Sequence, residues 1–494
     1  MSRPGLAVGD GAALDRSGPA VARLYHRLLA AIFLIAWASL GVQVDVLIGS
    51  RGLLPVAPFL DAARSHGLGV LQFPTVFWLD ASDRALNAGI WGGGALSAAA
   101  LLGIRPRLCT GLATLLYLSY ATAGRTFLSF QWDNLLLECG ALAVVLPTDR
   151  PARWAHVLFR VLLFKLYWES GIAKWQSYLG DWQDGSAMTF YYETAPLPIW
   201  PAWYAHHLPV WWHHLESWAT LGLELVVPLF AFGPRALKLV CFAALTGFQL
   251  VNLATANYGF FVYLALALHV FLLTDGDVGR LAGPLRRWRP EPPARAAPPA
   301  AAPWIRRMRA AAAAAVLTLG IGVSAVDALT AFAPTPRIWQ RLVAPLQSLY
   351  EPWRLINTYH LFGHITQERV EPEFQVESDG SWRTVDLRHK PGDLRRAPDL
   401  VAPHQPRVDF QLWFYGLSFQ HGMPEYVGTL LERLCHDPAA VQPLFAEPLP
   451  ATPEAVRIAF WRYRFSPADE PAAWWVRDPV ATTRPLSCAS DAPA

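Results

Sequence analysis

Long apolar stretches separated by short polar segments fill the first two thirds of the chain. Nine are candidate membrane helices: 28–48, 88–104, 108–123, 131–147, 155–173, 216–232, 237–255, 258–274 and 310–333. The first begins after 27 residues and is too long for the apolar region of a cleavable signal peptide. A helix needs roughly 20 apolar residues to cross a bilayer. The pattern predicts an α-helical polytopic membrane bundle of about nine spans, with tight hairpins where short stretches adjoin.

Basic residues are concentrated in the loops that alternation of the spans places on one side. Short loops with an excess of Lys and Arg are cytoplasmic. With the N-terminus inside, the cytoplasmic segments hold every dense cluster: Arg16, Arg23 and Arg27; Arg105 and Arg107; Arg150 and Arg153; Arg235 and Lys238; and eight Arg residues in 275–309. Nine spans then place residues 336–494 outside.

This assignment divides the chain into five regions. They are a cytoplasmic tail 1–27, a membrane bundle 28–274, a basic Pro/Ala-rich cytoplasmic linker 275–309, a last transmembrane helix 310–335 and an extracytoplasmic domain 336–494. The Pro- and Ala-rich part of the linker is interpreted as an extended tether, because this composition does not build a packed core.

The C-terminal region changes to the two-residue period of β-strands. Two alternating runs within 370–387 flank an Asp-Gly pair, which predicts a hairpin. Runs 408–415 and 456–465 also alternate, whereas 426–435 has helical spacing. Together they predict a small antiparallel, sandwich-like β domain that carries one or two helices.

The composition agrees with a chain surrounded largely by lipid. It is 53% hydrophobic and only 16% charged, whereas soluble domains are about 25% charged. The formal net charge is +3, and the basic residues are nearly all Arg. With abundant Ala and Pro, this usage is typical of GC-rich bacterial genomes. The expected location is therefore a bacterial inner membrane, with the C-terminal domain in the periplasm.

The five cysteines fall into two groups. Cys109, Cys139 and Cys241 lie in apolar stretches and are interpreted as small buried residues. Cys435 and Cys488 lie in the region predicted to be extracytoplasmic, where disulfides persist. These two cysteines are therefore predicted to be able to pair, provided that the fold brings them together.

Motifs of soluble enzymes are absent from the sequence. It contains no Gly-x-Ser-x-Gly, no P-loop, no Rossmann fingerprint and no Cys/His zinc spacing. His206-His207 and His213-His214 are adjacent pairs, and neighbouring helical residues point about 100° apart, so a metal site is not predicted. No cofactor and no nucleic-acid partner are expected, and lipase activity of the chain itself is disfavoured.

The predicted extracytoplasmic loop 174–215 is crowded with aromatic residues: Trp175, Trp182, Tyr191, Tyr192, Trp200, Trp203, Tyr204, Trp211 and Trp212. Trp and Tyr favour the membrane–water interface, so one interpretation is an interfacial lid on the bundle. The alternative is a surface that binds client proteins. Candidate client-binding residues, including three from the C-terminal domain, are Glu193, Trp203, Trp211, Trp212, His404, Arg407 and Asp409.

Several ionisable residues occur within or beside the predicted spans, where charge is costly and often functional. They are Asp133, Glu138, Lys165, Glu169 and Glu224. Lys165 and Glu169 are four residues apart on one helix and are predicted to pair. A structural role is favoured, in which Glu138 accepts hydrogen bonds from a neighbouring helix. A pocket for protons or substrate is the alternative.

Two polar motifs follow the last apolar stretch. They are Tyr-Glu-Pro-Trp-Arg-Leu-Ile-Asn-Thr-Tyr-His-Leu-Phe-Gly at 350–363 and Pro-His-Gln-Pro-Arg-Val-Asp-Phe-Gln-Leu-Trp-Phe at 403–414. In the second motif, Arg407 and Asp409 would face the same side of a strand. A salt-bridged pair at the strand edge is the favoured interpretation, and a client-binding patch is the alternative.

Together these motifs resemble the lipase maturation factor family, and so do segments 127–138, 165–174, 191–198 and 257–261. Within 191–198, Ala195 replaces the Gln of the family motif, and Tyr191 stands where His is common. The resemblance implies a multi-pass, chaperone-like factor for the folding of secreted lipases or other exported proteins. Its partners would be the bilayer and a lipase-like client. Eukaryotic relatives would reside in the endoplasmic reticulum membrane.

The membrane half is also distantly similar to the transmembrane domain of vitamin K-dependent carboxylases. That similarity implies an alternative function, in which a membrane enzyme acts on a lipid-soluble substrate. An enzyme requires Asp133, Glu138, Lys165 and Glu169 to face one cavity within hydrogen-bond reach, whereas a scaffold can disperse them along helix seams.

Overall fold

The computed structural model describes residues 18–286, 303–469 and 473–489. Most of the predicted cytoplasmic tail and the Pro/Ala-rich part of the predicted linker therefore lie outside the described residues. The described chain is mostly helical, with one small antiparallel β-sheet near its C-terminus.

The long helices of the N-terminal half overlap the predicted apolar stretches, and shorter helices lie between them. Its helices are α1 (Pro19–Gly41), α2 (Val44–Ile48), α3 (Val56–Ser65), α4 (Asp83–Leu101), α5 (Pro106–Ala123), α6 (Gln131–Val145), α7 (Arg153–Trp175), α8 (Asp181–Asp184), α9 (Ala187–Thr194), α10 (Trp200–His206), α11 (Val210–Leu225), α12 (Arg235–Thr255), α13 (Phe261–His269) and α14 (Asp275–Arg286). Short 3-10 turns at Arg125–Leu128, Val227–Phe232 and Val270–Leu272 extend or connect them.

Four helices of the described chain are long and apolar enough to cross a membrane. They are Pro19–Gly41, Val210–Phe232, Arg235–Thr255 and Ala311–Phe332. The other predicted spans coincide with shorter or less apolar helices packed among these. The polytopic helical character is thus confirmed, whereas the count of about nine spans is not.

One end of the bundle gathers the loops predicted to be cytoplasmic. The carboxylate of Asp275 accepts a hydrogen bond of 2.9 Å from the Gly18 backbone N–H. Arg23 donates to the Thr148 carbonyl at 3.0 Å. These contacts bring the start of α1, the α6–α7 loop and the start of α14 to the same end, as alternation of the helices requires.

The C-terminal half begins with α15 (Pro303–Phe332) and α16 (Arg337–Tyr350). It continues with β1 (Arg369–Ser378), β2 (Ser381–Val385), α17 (Arg407–Ser418), α18 (Glu425–His436), α19 (Pro438–Val441), β3 (Ala455–Phe465), β4 (Trp475–Thr482) and β5 (Leu486–Ser487). The 3-10 turns here are Glu351–Trp353, Phe419–His421 and Gln442–Leu444.

The strands form a single antiparallel sheet in the described residues, in the order β2-β1-β3-β4, with β5 also paired to β3. The predicted hairpin is present, since Ser378 pairs with Ser381 across the Asp379-Gly380 turn. The strand predicted at 456–465 and the helix predicted at 426–435 are also present, as β3 and α18. The antiparallel sheet is confirmed and the sandwich arrangement is not.

The strand predicted at 408–415 is wrong, because these residues belong to helix α17. Its two-residue alternation of polar and apolar positions resembles a half-exposed strand. In the structure Arg407, Asp409 and Gln411 are as buried as the apolar residues between them. The alternation of polar and apolar residues in this segment therefore belongs to a helix that buries polar side chains, and not to a strand with one solvent-exposed face.

A disulfide joins Cys435 of α18 to Cys488, just beyond β5, with Cα atoms 5.1 Å apart. The pairing that the sequence allows is therefore present. It fastens the edge of the sheet to a helix 53 residues away along the chain. Cys139 and Cys241 are buried thiols, while Cys109 is partly exposed.

Candidate functional site

The two polar motifs meet the membrane bundle at the end opposite the predicted cytoplasmic loops. Segment 350–363 has little regular structure beyond a single 3-10 turn. Irregular backbone at membrane depth is tolerated only where protein or enclosed water satisfies its polar groups. Buried carboxylates of the helical bundle satisfy such groups here, as the contacts of Glu138 and Glu169 with segment 350–363 show.

Glu138 of α6 is the centre of this contact. One carboxylate oxygen accepts hydrogen bonds from the backbone N–H of Asn357, from the Asn357 side chain and from the Tyr359 hydroxyl, at 3.1, 3.1 and 2.8 Å. Its other oxygen lies 3.1 Å from the ammonium group of Lys165. Because buried carboxylates are stable only when paired and hydrogen-bonded, Glu138 and segment 350–363 stabilise each other.

The predicted Lys165–Glu169 pair is wrong. Lys165 pairs with Glu138 of the neighbouring helix, and Glu169 instead accepts the backbone N–H of Tyr359 at 2.8 Å. Spacing along one helix makes a pair reachable, but it does not exclude better partners from elsewhere in the fold. Tyr359 provides a donor to Glu169 from outside the helix, which leaves Lys165 to neutralise Glu138.

Two further cations hold segment 350–363 in place. Lys174 pairs with Glu224 of α11 at 2.8 Å and also donates to the carbonyl of Leu361 at 2.7 Å. Arg354, in a left-handed backbone conformation with φ of 50°, donates to the carbonyls of Leu128 and Ala121. The segment is therefore bonded to α5, α6 and α7 along most of its length.

The second motif is anchored by Arg407 at the start of α17. Arg407 is only 1% exposed, and its two terminal nitrogens each lie 2.7 Å from an oxygen of Asp133. It also donates to the Phe127 carbonyl at 2.7 Å and the Tyr117 hydroxyl at 3.1 Å. Burial acts against the charge, but the nearby Asp133 carboxylate raises the pKa of Arg407, so the pair is ionic.

The residues before α17 are fixed to α1. Gln43 accepts the backbone N–H of Arg407 at 3.0 Å and donates to the carbonyl of Gln405 at 2.8 Å. Ser39 lies 3.0 Å from His404 Nδ1 and accepts the Gln405 backbone N–H at 2.9 Å. Burial, together with the positive surroundings, lowers the pKa of His404 to about 4, so its imidazole is neutral at pH 7.

The predicted Arg407–Asp409 pair is also wrong. On a helix, residues two apart point in different directions, and Asp409 instead accepts the His389 backbone N–H at 3.2 Å. Burial raises the pKa of Asp409, and the neighbouring side chains of His389 and Lys390 act in the opposite direction. Both residues of the motif are therefore internal contacts.

The aromatic loop 174–215 packs against the sheet. Glu193 accepts the backbone N–H of Phe465 at 3.1 Å, and burial raises the pKa of its carboxyl. Trp203 donates to the Ser466 hydroxyl at 3.2 Å and packs on Trp474 with ring centroids 5.8 Å apart. Glu193 and Trp203 therefore join the loop to the sheet.

Trp211 and Trp212, at the start of α11, are differently placed. Trp211 is 65% exposed, and its ring centroid lies 5.8 Å from that of Trp212, which is 37% exposed. Other exposed aromatic residues of the same region are Trp200, Tyr204 and Trp218. Within the part of the chain that the structure describes, Trp211 and Trp212 are the only candidate client-binding residues that are exposed.

Several residues at the contact between the bundle and the C-terminal half could not have been recognised from the sequence. Arg369 is fully buried, pairs with Glu371 at 2.5 Å and donates to the carbonyls of Glu193, Ala195 and Pro196. Lys390 pairs with the same Glu371 at 2.6 Å. In contrast, Ser39 and Gln43 are polar residues four apart inside an apolar stretch, which is a recognisable signal of a buried polar contact.

In the described part of the chain, no group of three or more His, Cys, Asp or Glu side chains is arranged to hold a metal ion. Asp133, Glu138 and Glu169 instead contact segments 350–363 and 399–409. Lys165 and Glu224 form ion pairs with Glu138 and Lys174. The contacts of the first three side chains attach the C-terminal segments to the helical bundle. Carboxylates of the bundle accept backbone and side-chain donors, and Asp133 accepts a two-point contact from a guanidinium.

Comparison with known proteins identifies the family. Residues 20–280 match the model of the lipase maturation factor transmembrane domain, and residues 355–485 match that of the lipase maturation factor C-terminal domain. Lipase maturation factor 1 of Bos taurus is 31% identical, covering 91% of this chain and 86% of the relative. Lipase maturation factor 2 of Homo sapiens is 29% identical, covering 92% and 81%.

Lipase maturation factor 1 of Homo sapiens is 29% identical over 93% of the chain and 86% of that relative. No solved structure gives a significant match. The first family model alone spans more than half of the chain, and the two models cover both halves of the docked junction. The chain belongs to the lipase maturation factor family.

Proposed function

We propose that this chain is a membrane-embedded maturation factor that assists the folding or assembly of exported lipases or similar proteins. Family membership supports this function. The observation that carries it is the set of exposed aromatic side chains Trp200, Tyr204, Trp211 and Trp212, of which Tyr204 lies against Trp474 at the edge of the sheet, with ring centroids 6.3 Å apart. Partly folded proteins expose apolar side chains, and such a surface binds them without a nucleotide cycle.

The proposed topology has nine spans, with residues 1–27 and the linker 275–309 inside and residues 336–494 outside. The Arg clusters support it, as does the grouping of the corresponding loops at one end of the bundle. In a bacterium the C-terminal domain would lie in the periplasm, where the Cys435–Cys488 disulfide is stable. Exported clients emerge on that side.

Alkaline phosphatase fused after Ala494 tests this topology, because the enzyme is active only outside the cytoplasm. We expect full activity from this fusion and none from a fusion placed within 290–300. The reversed pattern, with equal expression of both fusions, would reject the topology.

Client binding is tested by replacing Trp211 and Trp212 with Ala in the full chain. A lipase exported by the same cell should lose activity, and a photo-crosslinker at position 211 should capture that lipase during export. The matched control is Trp91→Ala, because Trp91 is 79% exposed but lies on α4, away from the sheet. Unchanged lipase activity with the double variant, at normal membrane levels, would refute the client surface.

The enzymatic alternative requires an open cavity onto which the intramembrane groups converge. Glu138 and Glu169 do converge, but on Tyr359, whose side chain is fully buried between them. Asp133 is occupied by Arg407. These contacts favour a role in joining the two halves of the chain, and no specific observation favours catalysis.

A further inference from the structure

An open polar cavity of about 430 Å³ lies between α15, α16 and segment 350–363. Its ionisable lining residues are Asp327, Glu351 and Arg354. All three lie between the two regions that match the family models, which end at residue 280 and resume at residue 355. The volume falls within the range of small-molecule sites, roughly 300–1,000 Å³.

The acidic groups of this cavity have no cationic partner among the described residues. Asp327 accepts hydrogen bonds from the Gln347 side chain at 3.2 Å and from the Tyr350 hydroxyl, and both donors are neutral. Partial burial and the charge of Asp327 raise the pKa of Glu351, which shows that the two carboxyl groups feel each other. A cation placed between them would relieve this repulsion.

The guanidinium of Arg354 forms no salt bridge among the described residues; burial lowers its pKa, and the nearby carboxylate of Asp133 acts in the opposite direction. Arg354 donates to the carbonyls of Leu128 and Ala121 and to the side-chain oxygen of Asn134, at 2.7, 3.0 and 3.2 Å. All three acceptors are neutral. Among the described residues, the cavity therefore presents two carboxylates without a cationic partner and one guanidinium whose hydrogen bonds go to neutral groups and whose charge is partly compensated by Asp133.

Helix α16 indicates the depth of the cavity in the membrane. Its exposed apolar residues recur at helical spacing on one face: Ile338, Leu342, Leu346 and Leu349. Trp339 contacts Thr330 at 3.4 Å, while Gln347 contacts Asp327. These two contacts are eight residues apart on α16 but only three residues apart on α15. Helix α16 therefore crosses the end of α15 at an angle and does not run parallel to it.

An amphipathic helix that crosses the end of a membrane span lies in the interface, with its apolar face among the upper acyl chains. The partners of Gln347 and Tyr350 place the cavity on the other side of α16 from the apolar residues. The cavity is therefore level with the lipid headgroups. Helix α15, which is almost wholly exposed along its apolar window, provides a surface for acyl chains directly below.

We propose that this cavity binds the headgroup of a zwitterionic phospholipid with a primary ammonium group. The carboxylates of Asp327 and Glu351 accept hydrogen bonds from the ammonium, and Arg354 attracts the phosphate. Two carboxylates against one guanidinium disfavour an anionic headgroup, and a quaternary ammonium has no N–H to donate. The acyl chains lie along α15 and the apolar face of α16.

The test uses the full chain purified in a non-ionic detergent and titrated calorimetrically with dihexanoyl phosphatidylethanolamine below its micelle concentration. We expect saturable binding, at least tenfold tighter than for the phosphatidylcholine or phosphatidylglycerol of the same chain length. Asp327→Asn combined with Glu351→Gln should weaken ethanolamine-lipid binding at least tenfold. Asp327→Asn retains an acceptor oxygen for Gln347 and Tyr350, and the side chain of Glu351 is exposed, so the fold should be retained.

Glu432→Gln is the matched control, because Glu432 is an exposed carboxylate of α18, away from the cavity; its binding should equal that of the parent chain. Should the double variant be unstable, Glu351→Gln alone decides, with an expected loss of threefold or more. Equal binding of all three lipids, or unchanged binding by the variants, would overturn the proposal. The proposal would also be overturned if a lysine-rich peptide displaced the lipid from the cavity and bound there more tightly than the lipid does, because the carboxylates would then favour a peptide ligand.

Discussion

Removing Arg407 should destabilise the whole chain, because it holds the C-terminal half to the bundle through a fully buried ion pair. Its guanidinium makes two bonds of 2.7 Å to Asp133, and it also donates to Phe127 and Tyr117. Arg407→Ala leaves the Asp133 carboxylate buried with only the Tyr117 hydroxyl as a donor. At the strand edge or in the client-binding patch predicted from the sequence, Arg407 would be accessible, and the same change would have little effect.

Breaking a buried pair by removing one partner costs about 3–5 kcal/mol, since an uncompensated charge remains. Replacing both partners by apolar residues avoids that cost. Asp133→Leu with Arg407→Met should therefore recover most of the stability. Recovery should be incomplete by about 1–3 kcal/mol, because the Tyr117 hydroxyl and the Phe127 carbonyl lose partners.

The assay is thermal or denaturant unfolding of the full chain in detergent, with all variants in a double-mutant cycle. The matched control is Arg464→Ala, whose pair with Asp478 is exposed on both sides and should be worth less than about 1 kcal/mol. A loss for Arg407→Ala no larger than for Arg464→Ala would refute the reasoning. So would simple additivity of the Asp133 and Arg407 single changes.

Three further predictions follow from the same contacts. Glu138→Gln should lower the free energy of unfolding by about 3–5 kcal/mol, because the buried ammonium group of Lys165 loses the carboxylate that pairs with it. Unfolding in detergent measures this loss. Cys435→Ser should cost up to about 4 kcal/mol for the loop closed by Cys488, and the parent chain should run differently on reducing and non-reducing gels. Since the folded His404 has a pKa of about 4, below its unfolded value of about 6.5, the contribution of His404 to stability should be complete above pH 6.5 and be lost as the pH drops toward 4. Burial also lowers the pKa of His206 to about 4, so His404→Gln should make the fall in melting temperature between pH 6.5 and 4 shallower without abolishing it, and an unchanged slope would contradict the assignment.

Local patterns predicted many of the helices and strands of this protein, although the alternating run at 408–415 belongs to a helix. Apolar runs predicted the membrane helices, because a bilayer demands continuous apolar length. The Asp-Gly turn between alternating runs predicted the β1–β2 hairpin, because a tight turn needs residues that tolerate positive φ, and Asp379 and Gly380 both adopt it. Both constraints act between residues that are close in the sequence, so each can be recognised without knowledge of the rest of the fold.

Partner choice was decided only by the tertiary structure. Lys165 had Glu169 within reach on its own helix, yet it pairs with Glu138 because Tyr359, some 190 residues beyond Glu169, donates to that carboxylate. Arg407 likewise pairs with Asp133 across 274 residues, while Asp409 takes another donor. The sequence by itself determined which residues carry uncommonly placed charge. Which charges meet depended on how the C-terminal segments enter the bundle, because a buried ionic group is stable only beside the partner that the whole fold brings to it.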